Sequence, residues 1–226
     1  MKKLSLTILQ NFNQDIFSIL STKRLESYGG DIDKHYKNLE LALAIGKRIA
    51  NLEIYLRNKM DFCLKEIIGE DWTKSNQSLN LISQKGRTPL SELNHSQILS
   101  SLMLGEIVGL IREYKIETYM FDLKDMDFKK YHLGNKNYLY VKNRKTPFSN
   151  LSKNIIVLNL IRNIRDCAFH WENLLKVTIK ENGNVFPHIT HKEGGSNIGI
   201  MPNKTLDFLD DLIDKIGNKI MISYLK

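Results

Sequence analysis

Cysteine is scarce in this 226-residue chain, which has only Cys63 and Cys167. Two thiols can neither staple a small secreted scaffold nor supply a four-thiolate zinc site, so a reducing cytoplasm is the expected location. Proline (4) and glycine (13) are also few, which excludes collagen-like repeats and Pro/Gly-rich linkers. No long hydrophobic run is present. The strongest, Ile155 to Ile161, is broken by Asn159 and falls far short of the ~20 residues that span a bilayer. Met1-Lys2-Lys3-Leu4 could open a secretory leader, but Gln10, Asn11, Asn13, Gln14 and Asp15 interrupt the apolar stretch that would have to follow. Neither a signal peptide nor a membrane partner is expected.

What remains is a chain with 42% hydrophobic and 26% charged residues, a balance that excludes a disordered tail. At this length it buries enough apolar surface to fold without disulfides, and residues 1–226 read as a single domain. Lys and Arg number 33 against 25 Asp and Glu, a net +8 that points moderately to a polyanionic partner.

Apolar spacing predicts a mainly α architecture, a helical bundle with long loops. The first long helix is expected over residues 33–68, with Ala42, Ile45, Ile49, Leu52, Leu56, Met60, Cys63 and Ile67 on one stripe. Asp31 or Asp33 can cap it, after the Gly29-Gly30 breaker. A second helix is expected over 95–115, a third over 149–177 and a fourth over 205–225 with Thr205 as N-cap. A short one precedes them near residues 4–20. Val177-Thr178-Ile179 and Val185-Phe186 flank Glu181-Asn182-Gly183-Asn184, which suggests a small β-hairpin or an ordered loop. Residues 121–148 show no period and read as a long connection carrying function rather than core.

The third helix contains Arg162-Asn163-Ile164-Arg165-Asp166-Cys167-Ala168-Phe169-His170-Trp171-Glu172-Asn173. At about 100° per residue, Arg162, Asp166, His170 and Asn173 form one polar stripe, with Arg165 at its edge. Ile164, Ala168, Trp171 and Leu175 turn the other way. Asp166 is one turn from His170, close enough for its carboxylate to orient the imidazole, and Arg165 offers a planar fork of donors suited to phosphate. A base, an acid and a cation suffice to cleave RNA without a metal, through attack of the 2′-hydroxyl. One histidine per chain does not easily serve as both base and acid, so a dimer is expected to supply the second.

Arg165-Asp166-Cys167-Ala168-Phe169-His170 resembles the motif of HEPN domains: Arg, then Asn, His or Asp, three residues of any kind, then His. The surrounding text is similar to the abortive-infection (Abi-like) branch of that superfamily. The similar stretches are Ser21-Thr22-Lys23-Arg24-Leu25-Glu26-Ser27-Tyr28, Leu52-Glu53-Ile54-Tyr55-Leu56-Arg57-Asn58 and Leu102-Met103-Leu104-Gly105-Glu106. The resemblance implies a HEPN-like helical bundle acting as a homodimeric, metal-independent endoribonuclease in phage defence or as a toxin, with an antitoxin or a phage trigger as further partner. It implies Arg165 and His170 as the catalytic pair, Asp166 as the orienting group and Asn173 as a polar helper. It implies no cofactor. Asp166 stands where Asn is commoner, Trp171 where a second His is usual, and Asn173 where Arg is common.

Candidate RNA contacts outside the motif are Arg162, Arg57 and the basic, tyrosine-interleaved stretch Tyr138, Tyr140, Lys142, Arg144 and Lys145. Its cations can neutralise phosphates and its rings can stack unpaired bases. Glu53 and Arg57 also read as an i,i+4 pair. His188 and His191 invite a metal reading, but no acidic ligand stands at a metalloprotease spacing and both cysteines are distant in sequence, so no metal site is expected. Gly194-Gly195 reads as a turn, and Cys167 as core rather than nucleophile. The competing expectation is a non-catalytic helical module that binds RNA or protein through the same polar face. A nucleotide-binding component paired with a nucleotidyltransferase is a third.

Overall fold

The computed structural model describes residues 3–82 and 89–225 and is mainly helical. Its axis is α4 (Ile32–Ile67), which follows α1 (Leu6–Gln14), α2 (Ile16–Leu20) and α3 (Thr22–Glu26). At 1.5 Å per residue α4 is about 54 Å long. Asp31 starts it, its carboxylate accepting from the Lys34 amide at 2.9 Å. The predicted stripe is buried from Ala42 through Cys63, whereas Ile67 projects into solvent near the helix end. Short α5 (Asn76–Leu79) precedes α6 (His95–Ser101) and α7 (Leu104–Glu113), which replace the single second helix expected from the sequence. The break falls at Leu102-Met103. There the Glu106 carboxylate accepts from the Met103 amide at 2.8 Å and starts a new helix, and Arg57 Nη2 donates to the Leu102 carbonyl at 3.0 Å. Met103, at this break, is exposed.

Residues 121–148 correct the expectation of a connection without core. Phe121, Leu123, Met126, Phe128, Tyr131 and Phe148 are all buried in the main apolar cluster. Their backbone is held by polar side chains of α8 (Asn150–Phe169). Asn154 accepts from the Phe121 amide and donates to its carbonyl, Asn150 accepts from the Leu123 amide, and Lys153 Nζ donates to the carbonyls of Lys124 and Met126. A segment whose hydrogen bonds go to side chains need show no helical or strand period. Its end forms a hairpin of β1 (Tyr138–Val141) and β2 (Arg144–Pro147) around Lys142 and Asn143, both at positive φ.

After α8 come β3 (Val177–Ile179) paired with β4 (Val185–Pro187), as the sequence suggested. Next are β5 (Thr190–Glu193) and β6 (Ser196–Gly199), joined by the Gly194-Gly195 turn. The chain ends in α9 (Thr205–Ile216) and α10 (Lys219–Leu225). The expected fourth helix is divided at Gly217, whose φ of 74° is left-handed and ends α9. α7, α8 and α9 all pack on α4. α1 and α2 bury none of their residues, leaving Leu6, Ile8, Phe12, Phe17 and Ile19 exposed. Among the described residues no helix is long and apolar enough to cross a membrane.

Candidate functional site

α8 stops at Phe169, eight residues earlier than its sequence pattern suggests. His170 is its C-cap, with its amide donating to the Asp166 carbonyl at 3.0 Å. Trp171 follows at φ 56°, donating to the Ala168 carbonyl at 3.2 Å, and the Glu172 amide reaches back to the Cys167 carbonyl at 2.8 Å. This is a Schellman ending with tryptophan where glycine is usual. A bulky residue in the left-handed region is strained and needs neighbours to hold it there. α3, the turn after it and α4 supply them. Arg24 Nη1 donates to the Trp171 carbonyl at 2.7 Å, the Asn38 amide donates to the Glu172 carbonyl at 2.9 Å while its oxygen accepts from the Leu174 amide at 2.7 Å, and Asn173 donates to the Ser27 carbonyl at 2.6 Å.

The early stop breaks up the predicted polar stripe. Trp171, expected on the buried face, is exposed, and buried Leu174 takes the packing position instead. Asn173 lies beyond the helix, and both ends of its side-chain amide are engaged, with Ser27 and with the Leu175 amide. It is a strut of the turn. The Asp166 carboxylate accepts from Arg165 Nη1 at 3.1 Å, and no hydrogen bond joins it to the His170 ring among the described residues. The Arg165 guanidinium also lies 5.2 Å from the Phe169 ring centre, and its Nε is buried without a partner. Arg162 is exposed one turn earlier.

His170 opens into a cleft of about 460 Å³ lined by Lys23, Arg24, Trp171, Lys176 and His188 among others. Neither Arg165 nor Asp166 lines it. The Arg165–His170 spacing of five residues puts the two about 140° apart around an ideal helix. The cations that share the cleft with His170 are Lys23, Arg24 and Lys176, none singled out by the sequence. Lys23 and Arg24 stand out in the sequence only through the resemblance of residues 21–28, and nothing local marks Lys176.

The other candidates lie apart from it. Arg57 donates to Glu53 at 3.1 Å as well as to Leu102, and stands about 28 Å along α4 from Asn38, which braces the cleft's turn. The tyrosine-rich stretch is the β1–β2 hairpin. Its Tyr140 amide donates to the Gly194 carbonyl at 2.9 Å, and Ser196 Oγ donates to the Tyr138 carbonyl at 2.5 Å. Tyr138 and Tyr140 meet edge to face at 5.5 Å, with Lys136 Nζ 5.6 and 5.2 Å from the two ring centres and Lys145 5.2 Å from that of Tyr138. A hydrogen bond from Tyr138, then the charges of Lys136 and Lys145, hold the exposed Tyr140 hydroxyl below its ordinary pKa. Lys142, Arg144 and Lys145 are exposed. No residue of the hairpin lines the cleft.

His191, three residues after His188, faces Glu193 at 3.4 Å. His188 lies between β4 and β5, and its amide donates to the Lys176 carbonyl at 3.2 Å, which brings it to the end of α8. Compared with protein-family models, with curated proteins and with solved structures, the chain matches none of them.

Proposed function

We propose that the chain is a HEPN-type, Abi-like endoribonuclease of the cytoplasm that acts in phage defence or as a toxin and works as a homodimer. The observation that carries this reading is His170, exposed at the end of α8 in a cleft with Lys23, Arg24 and Lys176. An imidazole can both take and give a proton, and three side-chain cations attract the negative phosphates of RNA.

His170 takes the proton of the 2′-hydroxyl, whose oxygen attacks the adjacent phosphorus. Lys23, Arg24 and Lys176 balance the charge that builds on the phosphorane oxygens. The bond to the 5′-oxygen breaks, and that oxygen receives its proton from the His170 of a second copy. The products are a 2′,3′-cyclic phosphate and a 5′-hydroxyl. Arg165 and Asp166, held together and against Phe169, support the last turn of α8 that presents His170. This route uses no metal.

Incubation of a labelled single-stranded RNA with wild-type protein and with His170→Ala tests the reading. Cleavage with cyclic-phosphate ends by the wild type alone is expected. A His170→Ala protein that cuts at the wild-type rate refutes the assignment. A second reading, a non-catalytic module binding RNA or protein, is favoured by the apolar surface beside the cleft, where Ile19, Leu20, Leu39 and Trp171 line a shallow groove. It predicts binding but no cleavage by either protein.

A further inference from the structure

We propose that Cys167, Glu172 and His188 form a binding site for a divalent transition-metal ion of the zinc class. Each contributes one donor: the Cys167 Sγ, a Glu172 carboxylate oxygen and an imidazole nitrogen of His188. All three donors lie within 4.8 Å of one another, and among the described residues no other trio of His, Cys, Asp or Glu comes as close. Sγ and Glu172 Oε2 are already 3.4 Å apart. Around a tetrahedral zinc ion with bonds of about 2.0 to 2.3 Å, neighbouring donors stand roughly 3.3 to 3.7 Å apart. The trio therefore needs to close by at most about 1.5 Å, within reach of rotation by the exposed side chains of Glu172 and His188.

The backbone beneath the three donors is fixed. Cys167 and Glu172 are the two residues joined by the long hydrogen bond of the Schellman ending, and His188 is tied to Lys176 through its amide. The ring of His188 makes no hydrogen bond or ion pair among the described residues. Thiolate with imidazole and carboxylate selects zinc or a similar borderline ion over calcium or magnesium, which prefer oxygen alone. Two anionic ligands offset the charge of a dication, Asp166 adds negative charge, and the cleft that Glu172 and His188 line also carries the cations Lys23, Arg24 and Lys176. In the metal-free protein the half-buried thiol is pushed up to about 12, by burial, by its hydrogen bond to Glu172 and by the charges of Glu172 and Asp166. Binding replaces the S–H bond with a sulfur–metal bond and releases that proton to solvent. With three protein ligands, a fourth position is left for water or another small donor. The site stands whether or not the cleft cuts RNA.

The test uses the full chain, stripped by a chelator and titrated with Co²⁺ and then Zn²⁺ in the absence of RNA. One Co²⁺ per chain, a thiolate-to-cobalt charge-transfer band and its loss on adding Zn²⁺ are expected. Cys167→Ser should abolish the band, and His188→Ala and Glu172→Gln should each weaken binding at least tenfold. His188 and Glu172 are exposed, so these two variants keep the test open if Cys167→Ser fails to fold. Absence of binding at micromolar metal, a cobalt complex without thiolate absorption, or unchanged affinity in both His188→Ala and Glu172→Gln would overturn the proposal.

Discussion

Arg24 and Trp171 are 147 residues apart in the chain, yet the Arg24 guanidinium donates a 2.7 Å hydrogen bond to the Trp171 carbonyl. That contact locks the left-handed turn that ends α8 and sets His170 at the mouth of the cleft. Arg24 also lines the cleft, so one cation joins the architecture to the proposed chemistry.

Removing the contact should cost stability. Hydrogen bonds to charged groups are worth about 1.5–3 kcal/mol, and because Arg24 is partly exposed the lower end applies. Arg24→Ala is expected to lower unfolding stability by about 1–2 kcal/mol in urea titrations. Trp171→Gly, which relieves the positive φ while losing a side chain already 44% exposed, should stay within about 1 kcal/mol of wild type. A Trp171→Gly protein destabilised by much more would mean that the indole packing, not the backbone turn, organises this end.

The cleft's lysines make a salt-dependence prediction. Each phosphate contact on single-stranded nucleic acid contributes a slope of about −0.7 in log K against log salt. Replacing both Lys23 and Lys176 by Ala should flatten the slope for a short RNA by about 1.4 and weaken binding across sequences. A slope equal to that of the wild type would place the RNA elsewhere.

Asp61 gives the protein an acid limit. Burial raises its carboxyl pKa, but hydrogen bonds from Trp72, Lys65 and His95 outweigh burial and hold it below the ordinary 3.8. Trp72 Nε1 and His95 Nε2 both lie 2.8 Å from its Oδ1. A carboxylate with a depressed folded pKa adds stability that is fully present above the unfolded value and lost as pH falls through the folded one. Stability should therefore fall as pH drops below about 4. Asp61→Asn should be less stable at neutral pH and show a flatter acid limb in thermal melts from pH 7 to 3. Parallel pH profiles for the two proteins would contradict this.

Asn154 holds the aperiodic segment in place. It is fully buried, and its side chain satisfies both the amide and the carbonyl of Phe121. Asn154→Ala leaves the Phe121 amide without a partner, while the Phe121 carbonyl keeps the 3.1 Å bond from Asn150 Nδ2, at a cost of about 1–3 kcal/mol. Hydrogen exchange should show the loss of protection concentrated at the Phe121 amide; uniform loosening would mean that the segment is held by its apolar side chains alone.

Local physics was readable without the fold. The Asp31 cap, the stripe from Ala42 to Cys63, the start of α8 at Ser149 and the hairpin from Val177 to Pro187 all follow from spacing and capping, because each depends on neighbours within a few residues. The β1–β2 hairpin escaped because its turn uses Lys142 and Asn143 at positive φ without a glycine to announce it. The core in residues 121–148 escaped because its backbone partners are side chains of a helix that comes later in the sequence. The sequence by itself also determined that His170 follows Arg165 by five residues within a helical pattern. Only the tertiary structure decided what that position means. α8 stops at Phe169 because Arg24, Asn38 and Ser27 stabilise a strained turn there, and that stop brings Lys23, Lys176 and His188 to the cleft that His170 lines. The same stop places Glu172 beside Cys167, and the Lys176–His188 backbone bond brings in the third donor, a grouping of residues up to 21 apart that no local spacing rule encodes.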